Sequence, residues 1–268
     1  MPFRWQPVFR EQVSLLTTTP IMISRLLYGA LALLAIDGII ELGFISSMVR
    51  WLHVRAGGSF AVNDSNGGEF SLHGKPLHEL ADQGHAANGA AGTAFIVIGF
   101  GGCIVLFLRH RQLKRTGLVN GFTAFLYNLW LTMTVLSAIF SLASLIYVFT
   151  LTYQHDHQDI NTSVASHLNN KPYPNQVPYP LLTWTPQNWF AAVLRLPLVD
   201  DSDRSDIQTY LRIMHGWQWN LIPMTVLGFV VMGLAMVDRM KQRQASIEAD
   251  GASRLEAAQR QKAGSPFS

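Results

Sequence analysis

The chain reads as an all-α membrane protein with four transmembrane helices and two sizeable non-cytosolic loops, the second carrying a short surface helix. Three observations predict this. Across 268 residues it is 49% hydrophobic and only 14% charged, where soluble domains carry about 25% charge. Apart from Asp37 and Glu41, the charges avoid four stretches, 26–49, 86–108, about 129–152 and 221–237, which mark spans of about 26–49, 86–108, 124–152 and 217–238, each near or above the ~20 residues that cross a bilayer at 1.5 Å per residue. Lys and Arg then cluster on one side of the alternation.

Residues 1–25 are expected to be a cytosolic leader with an amphipathic piece around Phe9–Leu16. No cleavable signal is recognisable there, so the first span is expected to act as a signal anchor. That span, 26–49, carries Asp37 and Glu41. The loop 50–85 opens with GGSFAVNDSNGGEF, whose Gly and Asn predict turns and a small hairpin. Helical spacing resumes at Pro76–Gln83.

The second span has no ionisable side chain except the thiol of Cys103, and Gly92, Gly99 and Gly102 give it a small-residue face. The third span presents Thr134, Ser137, Ser141 and Ser144 as one polar seam. Small faces let membrane helices approach closely, and hydroxyls bond across the contact. That seam is expected to pack the bundle and, more sharply, to hydrogen-bond Asp37 or Glu41.

The loop 153–216 starts with prolines at 172, 174, 178 and 180, which favour extended backbone. Thr185-Pro186 reads as an N-cap with proline at the first helical position. The helix it opens, Gln187 to Leu196, is expected on the membrane surface or over the mouth of the bundle, presenting Trp189, Phe190, Val193 and Leu194. An acidic run, Asp200 to Asp206, follows, with Asp203 or Ser205 expected to cap the next helix. The fourth span, preceded by Trp217 and Trp219, is expected to kink near Pro223. A cytosolic tail, 239–268, completes the chain.

Orientation follows from the basic residues. Arg109, Arg111, Lys114 and Arg115 fill the short turn after the second span, and Arg239, Lys241 and Arg243 follow the fourth. The positive-inside rule places that turn and both termini in the cytosol. The net charge of +3 comes largely from these flanks, so nucleic acid is not an expected partner. Sequons at Asn63 and Asn161 fall in the two non-cytosolic loops and are expected to be glycosylated.

The runs YPNQVPYP, TWTPQNWF, DDSDRSD and MHGWQWNLIPM resemble a family of fungal four-span membrane proteins, some encoded beside polyketide pathway genes. The resemblance covers most of 26–237. It implies service in a natural-product pathway on an apolar intermediate, in an endomembrane or plasma membrane, alongside other membrane-bound pathway enzymes. It supplies no catalytic residues.

The chemistry expected from the residues themselves starts at Asp37 and Glu41. Four residues apart, they share one helix face, at a depth where an acid costs about 2.5–3.5 kcal/mol and normally faces protein or a wet cavity. A pair of buried acids can share a proton, one donating and the other accepting. That chemistry suits cyclisation or isomerisation of a lipophilic molecule. His85, His155 or His215 could assist. His78, Glu79, Asp82 and His85 with His155 and His157 contain metal-binding types, but their spacing is wrong for a shared site, and no metal is expected. The Asp200–Asp206 run is too short, and lacks a second motif, for a diphosphate site. No dinucleotide glycine loop, GxSxG or HExxH occurs, so no cofactor is expected. The alternative is a non-catalytic four-span scaffold that recruits proteins through its outer loops.

Overall fold

The computed structural model describes residues 6–64, 67–116, 119–174, 179 and 182–263. Four helical segments are long and apolar enough to cross a membrane: Ile23–Val54, Asp82–Thr116, Gly121–Gln154 and Asp201–Leu255. The protein therefore fits the class of multi-pass membrane proteins. Leu33, Ile36, Phe100, Phe125, Ile139 and Val226 are each more than half exposed along these helices, an apolar belt compatible with a lipid bilayer and out of place in water.

The first helix, α1 (Gln6–Val54), begins well before the first span. The helix is continuous through the start of the span, which lies at Ile23. A hairpin follows, β1 (Ser59–Asn63) and β2 (Glu69–His73), antiparallel with Phe60 opposite Leu72. The Gly- and Asn-rich stretch thus forms the expected hairpin. Helix α2 starts only at Asp82 and runs to Gly92. Pro76–Ala81 is an irregular segment instead, with Leu77 N–H donating to Tyr173 O and Leu80 N–H to Trp184 O. Tertiary hydrogen bonds overrode the local helical spacing.

The second span continues through a π-helical segment, Thr93–Phe100, into α3 (Gly101–Thr116). Helix α4 (Gly121–Gln154) is capped by Asn120, whose side chain accepts from Thr123 N–H. A short α5 (Thr162–Ala165) and α6 (Pro186–Leu194) lie in the long connection. The last helix, α7 (Asp201–Ala263), contains Pro223 and continues far past the expected end at 238.

Helices α1 and α7 run antiparallel along the bundle. Asp37 O accepts from Asn220 Nδ2, Trp217 Nε1 donates to Met48 Sδ, and Trp51 Nε1 donates to Asp206 Oδ2. Close approach elsewhere rests on missing Cβ atoms. A Cβ on Gly99 would lie 2.9 Å from that of Ala35, and one on Gly102 would lie 2.8 Å from the Trp130 ring. That gap lets the Trp130 indole donate to Ile98 O at 3.1 Å, a carbonyl inside the π segment. All four seam residues of α4 are buried. Ser141 bonds Thr225 on α7 at 2.9 Å, and Ser144 donates to Ala86 O at 3.3 Å. The seam knits helices together, as expected, but its bonds go to α2 and α7 rather than to Asp37 or Glu41.

The loops fold into one packed cap at the end of the bundle away from the termini. The hydroxyl of Thr185 accepts from Asn188 N–H with Pro186 at the first turn of α6, the expected cap and proline. Of its two expected placements the helix takes the one over the end of the bundle, where Asn188 bonds Thr152 O and Phe190 meets Trp51, and not the surface. Trp189, Phe190 and Val193 are fully buried, and Trp189 Nε1 donates to Gly74 O at 2.8 Å. Gly74 has no alternative: a Cβ there would sit 2.2 Å from Ala56 O. Apolar residues on three sides of so short a helix need protein around it, and Gly74 beside the hairpin, Tyr173 and Trp184 supply part of it.

The acidic run also has a structural use. Asp203 pairs with Arg55 and Asp206 takes the Trp51 indole, pinning α7 to the end of α1. The cap of α7 is Asp200, not Asp203 or Ser205: its Oδ1 accepts from Ser202 N–H at 2.8 Å, which holds its carboxyl below the usual range. Of the proline run, residues 175–178 and 180 lie outside the described residues.

Candidate functional site

Glu41 is fully buried and Asp37 partly so, as their shared face predicts. Neither Glu41 oxygen finds a hydrogen-bond partner, nor does Oδ2 of Asp37. The Asn220 side chain stands near Glu41 without closing a bond to it. Arg25, the basic residue at the start of this span, lines a cavity at the terminus end.

Among the described residues a large cavity lies at each end of the bundle, and neither of these is lined by Asp37 or Glu41. The cavity at the loop end measures about 680 Å³ and has Ile45, Met48 and Trp217 among its apolar walls. Ile45 is four residues beyond Glu41, so the acid lies one helical turn, roughly 6 Å, beneath that wall. Neither of these two cavities therefore places a guest molecule directly beside the acid pair.

The acid that does reach the loop-end cavity is Glu79, on the irregular segment before α2. Its Oε1 is sealed from solvent and has no partner. Burial pushes its carboxyl up from the ordinary 4.5 to about 7, against the opposing positive charges of Lys75 and His53. Both of those residues line the same cavity, as do Gln83, His85 and Asn88. Gln83 is held in turn: its Nε2 donates to Gln187 Oε1 at 2.7 Å, and Thr152 donates to its Oε1 at 3.3 Å. Asn188 Nδ2 donates to Thr152 O at 3.1 Å. This buried amide chain joins α2, α4 and α6 behind the cavity wall.

Only His85 of the five sequence candidates reaches this cavity. His155 ends α4, where partial burial lowers its imidazole below the usual range. His215 is exposed on α7. The five are not brought together. Among the described residues, no three of His, Cys, Asp or Glu converge where they could hold a metal ion. Asn63 and Asn161 are both exposed, with the Asn161 side-chain oxygen capping α5. Glu79 carried one weak sequence signal, an acid in the short apolar run PLHEL just before a span.

Ionising Glu79 is harder in the folded protein than in the unfolded chain. Between about pH 4.5 and 7 the folded state holds the extra proton, so stability falls as pH rises through that window and levels off above it. The expected loss is on the order of 2–3 kcal/mol. Unfolding midpoints in micelles across this range should show the slope in the natural protein and a flatter one in Glu79→Gln. Equal slopes in the two proteins would refute the assignment.

The fold and these cavities fit a four-helix, multi-pass membrane protein with a largely apolar chamber, edged by Glu79 and His85, at its loop end. No protein-family model, no curated protein and no solved structure matches the chain.

Proposed function

We propose that this protein binds a lipophilic molecule in the loop-end cavity and moves a proton on it with Glu79, as a membrane-bound cyclase or isomerase of a fungal natural-product pathway. One observation carries the reading: Glu79, whose Oε1 is buried and unpartnered, lines a chamber of about 680 Å³ with largely apolar walls at the edge of the bundle. That volume lies within the range of small-molecule sites. An acid that titrates near 7 populates both of its forms at neutral pH, the condition under which a side chain both gives and takes protons. His85 is the second group for the transfer, and Lys75 and His53 steady the carboxylate form. The apolar belt lets a guest enter from the bilayer. Asp37 and Glu41 act as buried packing groups below the chamber.

In this reading the basic turn 109–115 and both termini face the cytosol, and the chamber with sequons Asn63 and Asn161 faces the opposite side. The scaffold alternative draws on the separation of Asp37 and Glu41 from both cavities. Comparative profiling of lipophilic metabolites in cells without the protein, with it, or with single variants separates the two. Glu79→Gln should reproduce the deletion, a loss of about 10²-fold or more in product, with protein abundance unchanged. Asp37→Asn and Glu41→Gln should keep most of the product. Full product from the Glu79→Gln protein would remove the enzymatic reading and leave the scaffold.

A further inference from the structure

The second cavity lies at the terminus end, about 810 Å³, between the start of the first span, α3 and the far half of α7. Its lining is mixed in chemistry. Ile23, Leu27, Leu106 and Leu113 are apolar, while Arg25, Arg109, His110 and Lys241 bring cationic or protonatable groups. The acids present are Asp238 and Glu248. Asp238 is already committed, because it accepts from Arg109 at 2.7 Å and from the Tyr127 hydroxyl at 2.8 Å. Arg25 and Lys241 close no ion pair among the described residues. The Nε of Arg109 is sealed from solvent and donates to nothing.

We propose that this cavity is a binding site for an anionic phospholipid, with the phosphate held by Arg25 and Lys241, the Arg109 Nε–H as a further donor, and the acyl chain against the leucines of the lining. A phosphate supplies the acceptor oxygens these groups lack, and guanidinium groups suit its geometry. Basic pockets between transmembrane helices at a membrane face are built for such headgroups. The apolar lining residues give the acyl chain a place that a soluble phosphate would leave empty. The site is independent of the loop-end chamber, since the two share no residue.

The full chain, reconstituted in nanodiscs of phosphatidylcholine with phosphatidylglycerol as minority lipid, tests this. Native mass spectrometry should find phosphatidylglycerol retained by the natural protein in preference to phosphatidylcholine. An Arg25→Gln/Lys241→Gln double variant should lose that retention by about tenfold or more, with its unfolding midpoint in pure phosphatidylcholine unchanged. Arg25→Lys should retain most of the binding. Inorganic phosphate at millimolar concentration should not displace the lipid; if it does, the site is one for soluble phosphate and the lipid assignment falls. Equal retention of phosphatidylglycerol by the natural protein and the double variant would overturn the site itself.

Discussion

Replacing Asp238 with alanine is expected to destabilise the protein by about 3–5 kcal/mol. Its carboxylate accepts from Arg109 on α3 and Tyr127 on α4, and Gln242 on its own helix donates to it as well. One side chain thus ties three of the four spanning segments. The two charged partners are only 13% and 12% exposed, so solvent screens the pair little. Removing the acid leaves Arg109 with a buried, uncompensated charge, and that penalty exceeds the net value of the pair. Arg109 also lies over the Tyr127 ring at 4.8 Å, so part of its packing survives. Asp238→Asn, which keeps an acceptor, should cost less, and Tyr127→Phe should cost about 1.5–3 kcal/mol, the range for a hydrogen bond to a charged group. Denaturant unfolding in micelles measures each. In Arg109→Ala/Asp238→Ala the loss should fall well short of the sum of the singles, because one orphaned charge is no longer left behind. A loss below about 1 kcal/mol in Asp238→Ala would show the network to be ornamental.

Trp189→Ala is expected to cost about 3–5 kcal/mol from lost packing alone, with the effect confined to the loop-end cap. Its ring is fully buried, 5.1 Å edge-on from Trp184 and 5.7 Å from Tyr173. Its indole N–H holds Gly74 O, the turn that closes the hairpin onto α1. Truncation opens a void at the centre of this cluster and leaves the Gly74 carbonyl unpaired. Hydrogen exchange should report it regionally: amides of β1, β2 and α6 lose protection, while those in the middle of α4 and α7 keep theirs. Trp189→Phe should recover much of the packing but not the bond to Gly74. Uniform loss of protection through all four spanning helices would mean the cap and bundle unfold as one unit.

The two sites differ in how far they could be read from the chain. Arg109 and Asp238 each stood at the end of an apolar stretch, where a charge was expected at an interface, but their pairing across 129 positions was not visible. Trp189 was placed on a short helix with the right cap and the right first-turn proline. Its burial on every side depends on a hairpin more than a hundred residues earlier, which no local window contains. Glu79 had been noted only among prospective metal ligands. Asp37 and Glu41 drew attention because their cost in an apolar span is a local property, whereas the presence of open space beside them is not.

Hydropathy length, the Asn- and Gly-rich hairpin and the Thr185 cap are properties of short windows, and each of these followed from covalent neighbours alone. Four membrane-crossing helices and their order were therefore legible in one dimension. Which acid faces a cavity, which helix face is interior and which aspartate meets which arginine depend on side chains brought together from distant positions. Close packing leaves room in few places, and only the assembled bundle selects them: beside Glu79 and beside Arg25, one turn or more away from the pair of acids that the chain itself made conspicuous.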